Sequence, residues 1–66
     1  MQAREVELDE ELIAGKMYIC YYGSKRFAGI YKPGRGNEEL YPSFDVNGKL
    51  FSVRREDVRE KVINNA

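Results

Sequence analysis

The chain has 66 residues with 11 basic and 11 acidic side chains, so its formal net charge is zero. A chain this short forms one domain and buries only about 60% of the surface that its unfolded form exposes. It contains no His and one Cys, which excludes a Ser-His or Cys-His catalytic pair, a zinc site of the usual His/Cys kind and a disulfide framework within the chain. We therefore expect a single domain over residues 1–66 that is not an enzyme and carries no cofactor.

The N-terminal residues are acidic, and their secondary structure is open from the sequence. Residues 1–15 carry five acids and one base, and we treat residues 1–11 as an acidic lead-in to the domain. Val6 and Leu8 alternate with polar residues as a strand requires. Residues 9–15 also fit one short helical turn that ends at a glycine.

Four segments rich in Tyr, Phe, Ile and Val follow, separated by glycine-containing turns. Aromatic and β-branched residues are typical of strands, and a spacing of about 8–12 residues per strand is typical of all-β barrels and sandwiches. The predicted strands lie at residues 16–22, 26–32, 40–46 and 49–54. The chain is therefore predicted to be mainly β.

A turn at Gly23-Ser24 joins the first two predicted strands into a hairpin. With a two-residue loop, Ala28 and Ile30 are expected to point inward, which leaves Phe27 on the opposite face and partly exposed. The inward face carries Met17, Ile19, Tyr21, Arg26, Ala28 and Ile30, and the opposite face carries Tyr18, Cys20, Tyr22, Phe27, Gly29 and Tyr31. A three-residue loop would exchange the partners.

The dipeptide Asn47-Gly48 predicts a second hairpin. Both central residues of a type I′ turn need positive φ, which Asn tolerates and Gly adopts freely. The two-residue turn sets Phe44 opposite Phe51 and fixes the register of the whole hairpin. The predicted core face carries Phe44, Val46, Phe51 and Val53, and the other face carries Tyr41, Ser43, Asp45 and Ser52.

The C-terminal segment fits two structures. Ser52 could cap a helix over residues 54–63. Alternatively, residues 56–58 form a 3₁₀ turn and residues 60–63 form a closing strand, which we favour because a closing strand would cover an open sheet edge. The predicted fold is thus a small five-stranded antiparallel barrel with a short helix or 3₁₀ turn near a terminus.

Four short motifs follow one another in a defined order between residues 12 and 63. They are Leu12-Ile-Ala-Gly15-Lys16, Arg26-Phe-Ala-Gly-Ile30, Phe44-Asp-Val-Asn-Gly48 and Glu56-Asp-Val58. This order resembles small barrels of the Src-homology (SH3) and Tudor kind, and bacterial translation or transcription barrels are similar. The Tudor resemblance implies that Phe27 and one of Tyr21 or Tyr22 match positions of an aromatic cage for methylated side chains. Val46 stands where that motif usually has an aromatic residue.

Charge is segregated along the chain although it sums to zero. Residues 16–37 carry five basic residues, no acidic residue and several aromatic ones. Cations neutralise phosphates and flat rings stack on bases, so this composition predicts a nucleic-acid surface. The predicted binding residues are Tyr18, Tyr22, Lys25, Arg26, Phe27, Tyr31, Lys32 and Arg35. The alternative is that the cations only keep strand edges soluble and the tyrosines cover a thin core.

We expect a non-enzymatic binding module, namely a small nucleic-acid- or nucleoprotein-binding accessory protein of phage or bacterial type. The alternative is an adapter or inhibitor that binds a protein partner through an aromatic groove, which the acidic lead-in favours because it repels phosphates. The glycine-rich loop at residues 32–37 either presents Arg35 to an anion or is a plain connection. The longest apolar run, Met17–Tyr22, is far below the roughly 20 residues that span a bilayer, and no signal peptide opens the chain. A cytoplasmic protein without membrane contact is expected.

Overall fold

The chain folds into one antiparallel sheet of six strands, and the computed structural model describes residues 2–34 and 39–64. The strands are β1 (Gln2–Glu5), β2 (Met17–Tyr22), β3 (Lys25–Tyr31), β4 (Ser43–Val46), β5 (Lys49–Ser52) and β6 (Val58–Asn64), with a 3₁₀ turn at Arg55–Asp57. Their order in the sheet is β1-β6-β2-β3-β4-β5, so β1 and β5 are its edges. The mainly β prediction is confirmed.

The predicted five-stranded barrel is corrected in two ways, because the sheet has a sixth strand and is not closed. The added strand is β1, which pairs with β6, and the Val6 N–H extends this contact by donating to the Arg59 carbonyl at 2.9 Å. Strand β6 therefore lies between β1 and β2 and does not meet β5. Of the two C-terminal alternatives, the 3₁₀ turn followed by a strand is confirmed, and the helix is wrong.

The β4–β5 hairpin has the predicted turn and register. Asn47 has φ of 54° and Gly48 has φ of 87°, and Phe44 lies opposite Phe51. The Gly48 N–H also donates to the Asp45 carboxylate at 2.8 Å. Strand β4 begins at Ser43 rather than at residue 40, since the preceding proline has no N–H for a sheet ladder.

Gly48→Ala should lower the free energy of unfolding by about 1 kcal/mol. An added Cβ at Gly48 would meet nothing within 4 Å, so the cost comes only from the positive φ of 87°. Urea unfolding followed by circular dichroism measures it, with Lys49→Ala as the control at the next exposed position. Equal stability of the two variants would mean that the hairpin does not need the left-handed conformation at Gly48.

The β2–β3 hairpin also has the predicted two-residue loop, but its inward face was assigned wrongly. Tyr18 pairs with Gly29 as predicted, yet Tyr18 is 0% exposed and Tyr31 is 8% exposed. Both rings face the core, and Ala28 and Ile30 lie on the other face. The reason is long-range packing: Phe44 packs on the Tyr18 side of the sheet.

Three of the six residues in the buried core cluster are aromatic. The buried cluster consists of Tyr18, Cys20, Tyr31, Phe44, Val53 and Val58. The Phe44 ring centroid lies 6.1 Å from that of Tyr18 and 5.7 Å from that of Tyr31. Gly29 makes room for this packing, because a Cβ there would lie 2.8 Å from the Phe44 Cβ. The Tyr18 hydroxyl accepts a hydrogen bond from the Ile13 N–H at 2.9 Å, so the buried phenol has a partner.

Strand β5 departs most from the predicted core. Phe51 was predicted to be buried but is 47% exposed, and Val46 is only half-buried. Because β5 is an edge strand, no further strand in the described part of the chain covers the side of Phe51 that faces away from β4. Ser43, which was predicted to lie on the face opposite the core, is also buried, at 4% exposure, with its hydroxyl 3.0 Å from that of Ser52.

Candidate functional site

The ends of the two hairpins form an apolar groove of about 500 Å³ on the core side of the sheet. The Phe27 ring of β3 and the Phe51 ring of β5 meet across it, with centroids 6.0 Å apart. Tyr22 is the most exposed of its aromatic residues, at 68%. The groove is lined by Tyr22, Lys25, Phe27, Val46, Phe51, Ser52 and Val53. We call these residues the aromatic groove.

The aromatic groove has a cationic border. Lys25 lines it directly, and Lys49 lies opposite Val46 in the β4–β5 ladder. Directly opposite residues in an antiparallel pair share a face, so Lys49 is on the groove side of the sheet. Among the described residues, no carboxylate lines the groove. The site therefore favours an apolar group that carries a nearby negative charge.

Three of the eight predicted binding residues lie together in the groove. They are Tyr22, Lys25 and Phe27. The prediction that Phe27 is partly exposed beside Tyr22 is confirmed, since Phe27 is half-buried and lines the same groove. The stated reason was wrong, because Phe27 faces the core side and packs against the buried cluster.

The other predicted binding residues do not join them. Tyr18 and Tyr31 are core residues, so neither ring can stack on a base. Arg26 lies on the opposite face, where its Nε donates to the Tyr21 hydroxyl at 3.2 Å and its guanidinium pairs with Glu60 at 3.8 Å. Lys32 is exposed beyond the end of β3 and does not line the groove. Arg35 lies outside the described residues. Of the broad basic and aromatic surface predicted from the sequence, only the part at Tyr22, Lys25 and Phe27 lies together among the described residues.

Sequence reasoning missed the β5 wall of the groove. Phe51, Ser52 and Val53 line it, although Phe51 and Val53 were predicted as core and Ser52 as part of the opposite face. One signal could have indicated an edge position: Lys49 begins the strand, and lysine is typical of edge strands. An apolar side chain on an edge strand has one uncovered flank.

A second, acidic pocket of about 920 Å³ lies beneath the β1–β2 loop. Asp9, Glu10, Glu11 and Glu39 are among its lining residues, with Arg55. The ion pair with Arg4 lowers the pKa of the Glu10 carboxyl to about 2. Nη2 of Arg55 donates to the carbonyls of Glu7 at 2.8 Å and Glu10 at 2.7 Å. These bonds fasten the loop to the 3₁₀ turn.

The single cysteine of the chain, Cys20, is buried. Burial raises the pKa of the Cys20 thiol to about 12, with a smaller contribution from Asp57, so its reactive thiolate is scarce near neutral pH. Residues 2–34 and 39–64 contain no group of three or more Asp, Glu, Cys or His side chains that could hold a metal ion. No helix in the same ranges is long and apolar enough to cross a membrane.

Comparison of the chain with protein-family models, with curated proteins and with solved structures found no match. The function is therefore inferred from the geometry of the aromatic groove.

Proposed function

We propose that this chain is a non-enzymatic protein-interaction module that binds an extended peptide in the aromatic groove. The observation that carries the proposal is Phe51, a residue that is 47% exposed although it borders a concave apolar site with Phe27. Ligand sites are commonly concave and apolar with a few polar groups, and exposed aromatic rings are typical anchors of protein interfaces. An apolar side chain of a partner would cover the exposed flank of Phe51.

The burial of the core tyrosines favours a peptide over a nucleic acid. Stacking surfaces for single strands need several accessible rings beside a basic track. Tyr18 and Tyr31 are buried, and within residues 2–34 and 39–64 Lys25 is the one residue with a positive charge that lines the groove. A nucleic acid remains the second candidate because Lys25 lies beside two exposed rings and could contact one phosphate there.

The resemblance to Src-homology and Tudor barrels is part of this proposal. Strands β2 to β6, with the 3₁₀ turn before β6, follow the order expected from that resemblance. The Tudor resemblance implies a cage of Phe27 with either Tyr21 or Tyr22, and of these two tyrosines Tyr22 lines the groove with Phe27. Lys25 lines it as well, and a like charge disfavours a methylated cation, so we propose a peptide without such a group.

Selection from a displayed random peptide library tests the proposal, with affinities then measured by fluorescence anisotropy. Phe51→Ala should weaken binding of the selected peptides by about tenfold or more, because it removes an exposed ring that lines the groove. Leu50→Ala is the matched control. Leu50 precedes Phe51 in β5 and is exposed to a similar degree, at 44%, but its side chain points to the other face of the sheet.

A single-stranded oligonucleotide tested in parallel separates the two candidates. Peptide affinity should respond weakly to salt, whereas nucleic-acid affinity falls steeply as salt rises from about 50 to 200 mM. The proposal fails if no peptide is selected. If the oligonucleotide then binds in a manner that Phe51→Ala abolishes, the groove is a nucleic-acid site instead.

A further inference from the structure

Strand β5 presents hydrogen-bonding groups along the open edge of the sheet. The Val53 N–H donates to the Pro42 carbonyl at 3.1 Å, so the backbone of Val53 points toward the β4 side. Backbone groups alternate in direction along a strand, and Leu50 and Ser52 therefore direct their N–H and C=O groups away from β4. Within the described ranges, no strand pairs with β5 on that side.

This open edge is also a wall of the aromatic groove. Phe51, Ser52 and Val53 line the groove, and Phe51 points to the same face as Lys49, two residues before it. A strand added along β5 would place one of its side chains opposite Phe51 and the side chain two residues away opposite Lys49. The backbone edge and the groove would then bind one segment together.

We infer that the partner is an extended, acidic peptide segment that adds to β5 as an antiparallel strand, an inference that rests on the proposed function. Its backbone pairs with Leu50 and Ser52. An aromatic or large aliphatic side chain lies opposite Phe51 in the groove, and a carboxylate two residues later lies opposite Lys49. The two-residue spacing follows from the alternation of side chains, and the acid follows the apolar residue because the strands run in opposite directions.

Charge complementarity selects the acidic peptide over a second copy of this chain. The sole charged residue of β5 is Lys49, so a copy that paired β5 with β5 would bring no carboxylate to the groove. It would instead add further lysines beside Lys25 and Lys49, and like charges at an interface disfavour association.

The probe is a fluorescein-labelled peptide, Thr-Val-Thr-Phe-Thr-Asp-Thr, titrated with the full chain and followed by anisotropy. Two N-methylated forms test the added strand. N-methylation of the threonine directly after the phenylalanine blocks the N–H that would face Leu50, and it should weaken binding by about tenfold or more. N-methylation of the phenylalanine blocks an N–H that points away from β5, and it should leave affinity within about threefold.

Reversing the charge at Lys49 tests whether the carboxylate of the peptide lies opposite this residue. Lys49→Glu should weaken binding of the acidic probe and favour the probe in which lysine replaces aspartate. Lys16→Glu serves as the control for net charge, since Lys16 is exposed and outside the groove. Sedimentation of the chain with and without the probe tests the second copy: a dimer that Phe51→Ala dissociates, but that persists when the probe is added, would overturn the acidic peptide as the occupant.

The outcomes also separate this inference from the proposed function. If Phe51→Ala abolishes probe binding while both N-methylated forms bind equally, the groove takes a peptide but β5 does not pair with it, and the inference is wrong. If library peptides bind in the groove and the probe does not, the proposed occupant is wrong. If neither library peptides nor the probe binds, the proposed function itself fails.

Discussion

Phe44→Ala should leave a large fraction of the chain unfolded even without denaturant. Phe44 is 0% exposed, and its ring contacts those of Tyr18 and Tyr31. Removing a buried phenylalanine costs about 3–5 kcal/mol, and a domain of this size has a net stability of about 3–5 kcal/mol. The far-ultraviolet circular dichroism spectrum and the urea midpoint measure the loss.

The matched control is Phe51→Ala, which changes the residue directly opposite Phe44 in the same ladder. Both substitutions remove the same side chain from the same hairpin, so they lose similar strand propensity. Phe51 is 47% exposed, however, and its removal should cost about 1 kcal/mol. Equal losses in the two variants would mean that the core does not centre on Phe44. A folded Phe51→Ala variant also validates its use in the peptide-binding experiments.

Local signals in the sequence predicted both hairpins correctly. The dipeptides Gly23-Ser24 and Asn47-Gly48 each predict a two-residue turn. A two-residue turn sets the register of the two strands that it joins. The register of the β4–β5 hairpin and that of the β2–β3 hairpin follow these turns. Such features depend on neighbouring residues alone, and the sequence contains all of the information they need.

The inward face of the first hairpin needs information that is not local. Both of its faces carry apolar residues, and Ile19 at 2% exposure is buried almost as fully as Cys20 at 0%. Periodicity therefore does not distinguish them. The face of the hairpin that points to the core is set by Phe44 and Val58, which lie on other strands and pack on the Tyr18 side. These contacts depend on the order of strands in the sheet.

Strand order also explains which part of the candidate site could be predicted. Tyr22, Lys25 and Phe27 lie next to a turn that the sequence identifies, and they were among the eight residues named because residues 16–37 are basic and aromatic. Phe51 was assigned to the core because alternation predicts which face of the sheet a side chain lies on. Alternation does not predict whether other residues pack over that side chain. Phe51 is exposed because β5 is an edge strand. Strand β6 pairs with β1 and β2 at the far side of the sheet and so does not pair with β5.

The acidic loop between β1 and β2 depends on one side chain that comes from far along the sequence. Arg55, in the 3₁₀ turn, donates through Nη2 to the Glu7 and Glu10 carbonyls. The adjacent Nη1 is buried and has no hydrogen-bond partner among the described residues. Charge-assisted hydrogen bonds of this kind are stronger than neutral ones. The loop is thus held to the sheet by a cation that is itself incompletely satisfied.

Arg55→Met should therefore lower the free energy of unfolding by about 2–3 kcal/mol. Hydrogen bonds to charged groups contribute about 1.5–3 kcal/mol each, and the variant loses two of them. Part of this loss is offset because the variant no longer buries the unpartnered Nη1. Methionine keeps the length of the chain but donates nothing to the loop. Arg54→Met is the matched control, because Arg54 has a side chain that is 64% exposed and pairs with Asp57 at 3.3 Å, an exposed contact of about 0–1 kcal/mol. Urea unfolding gives the stabilities, and hydrogen exchange of the Ile13 amide, which is bonded to the Tyr18 hydroxyl, reports the loop itself. Equal losses for the two variants, or unchanged exchange at Ile13 in Arg55→Met, would show that Arg55 does not anchor the loop.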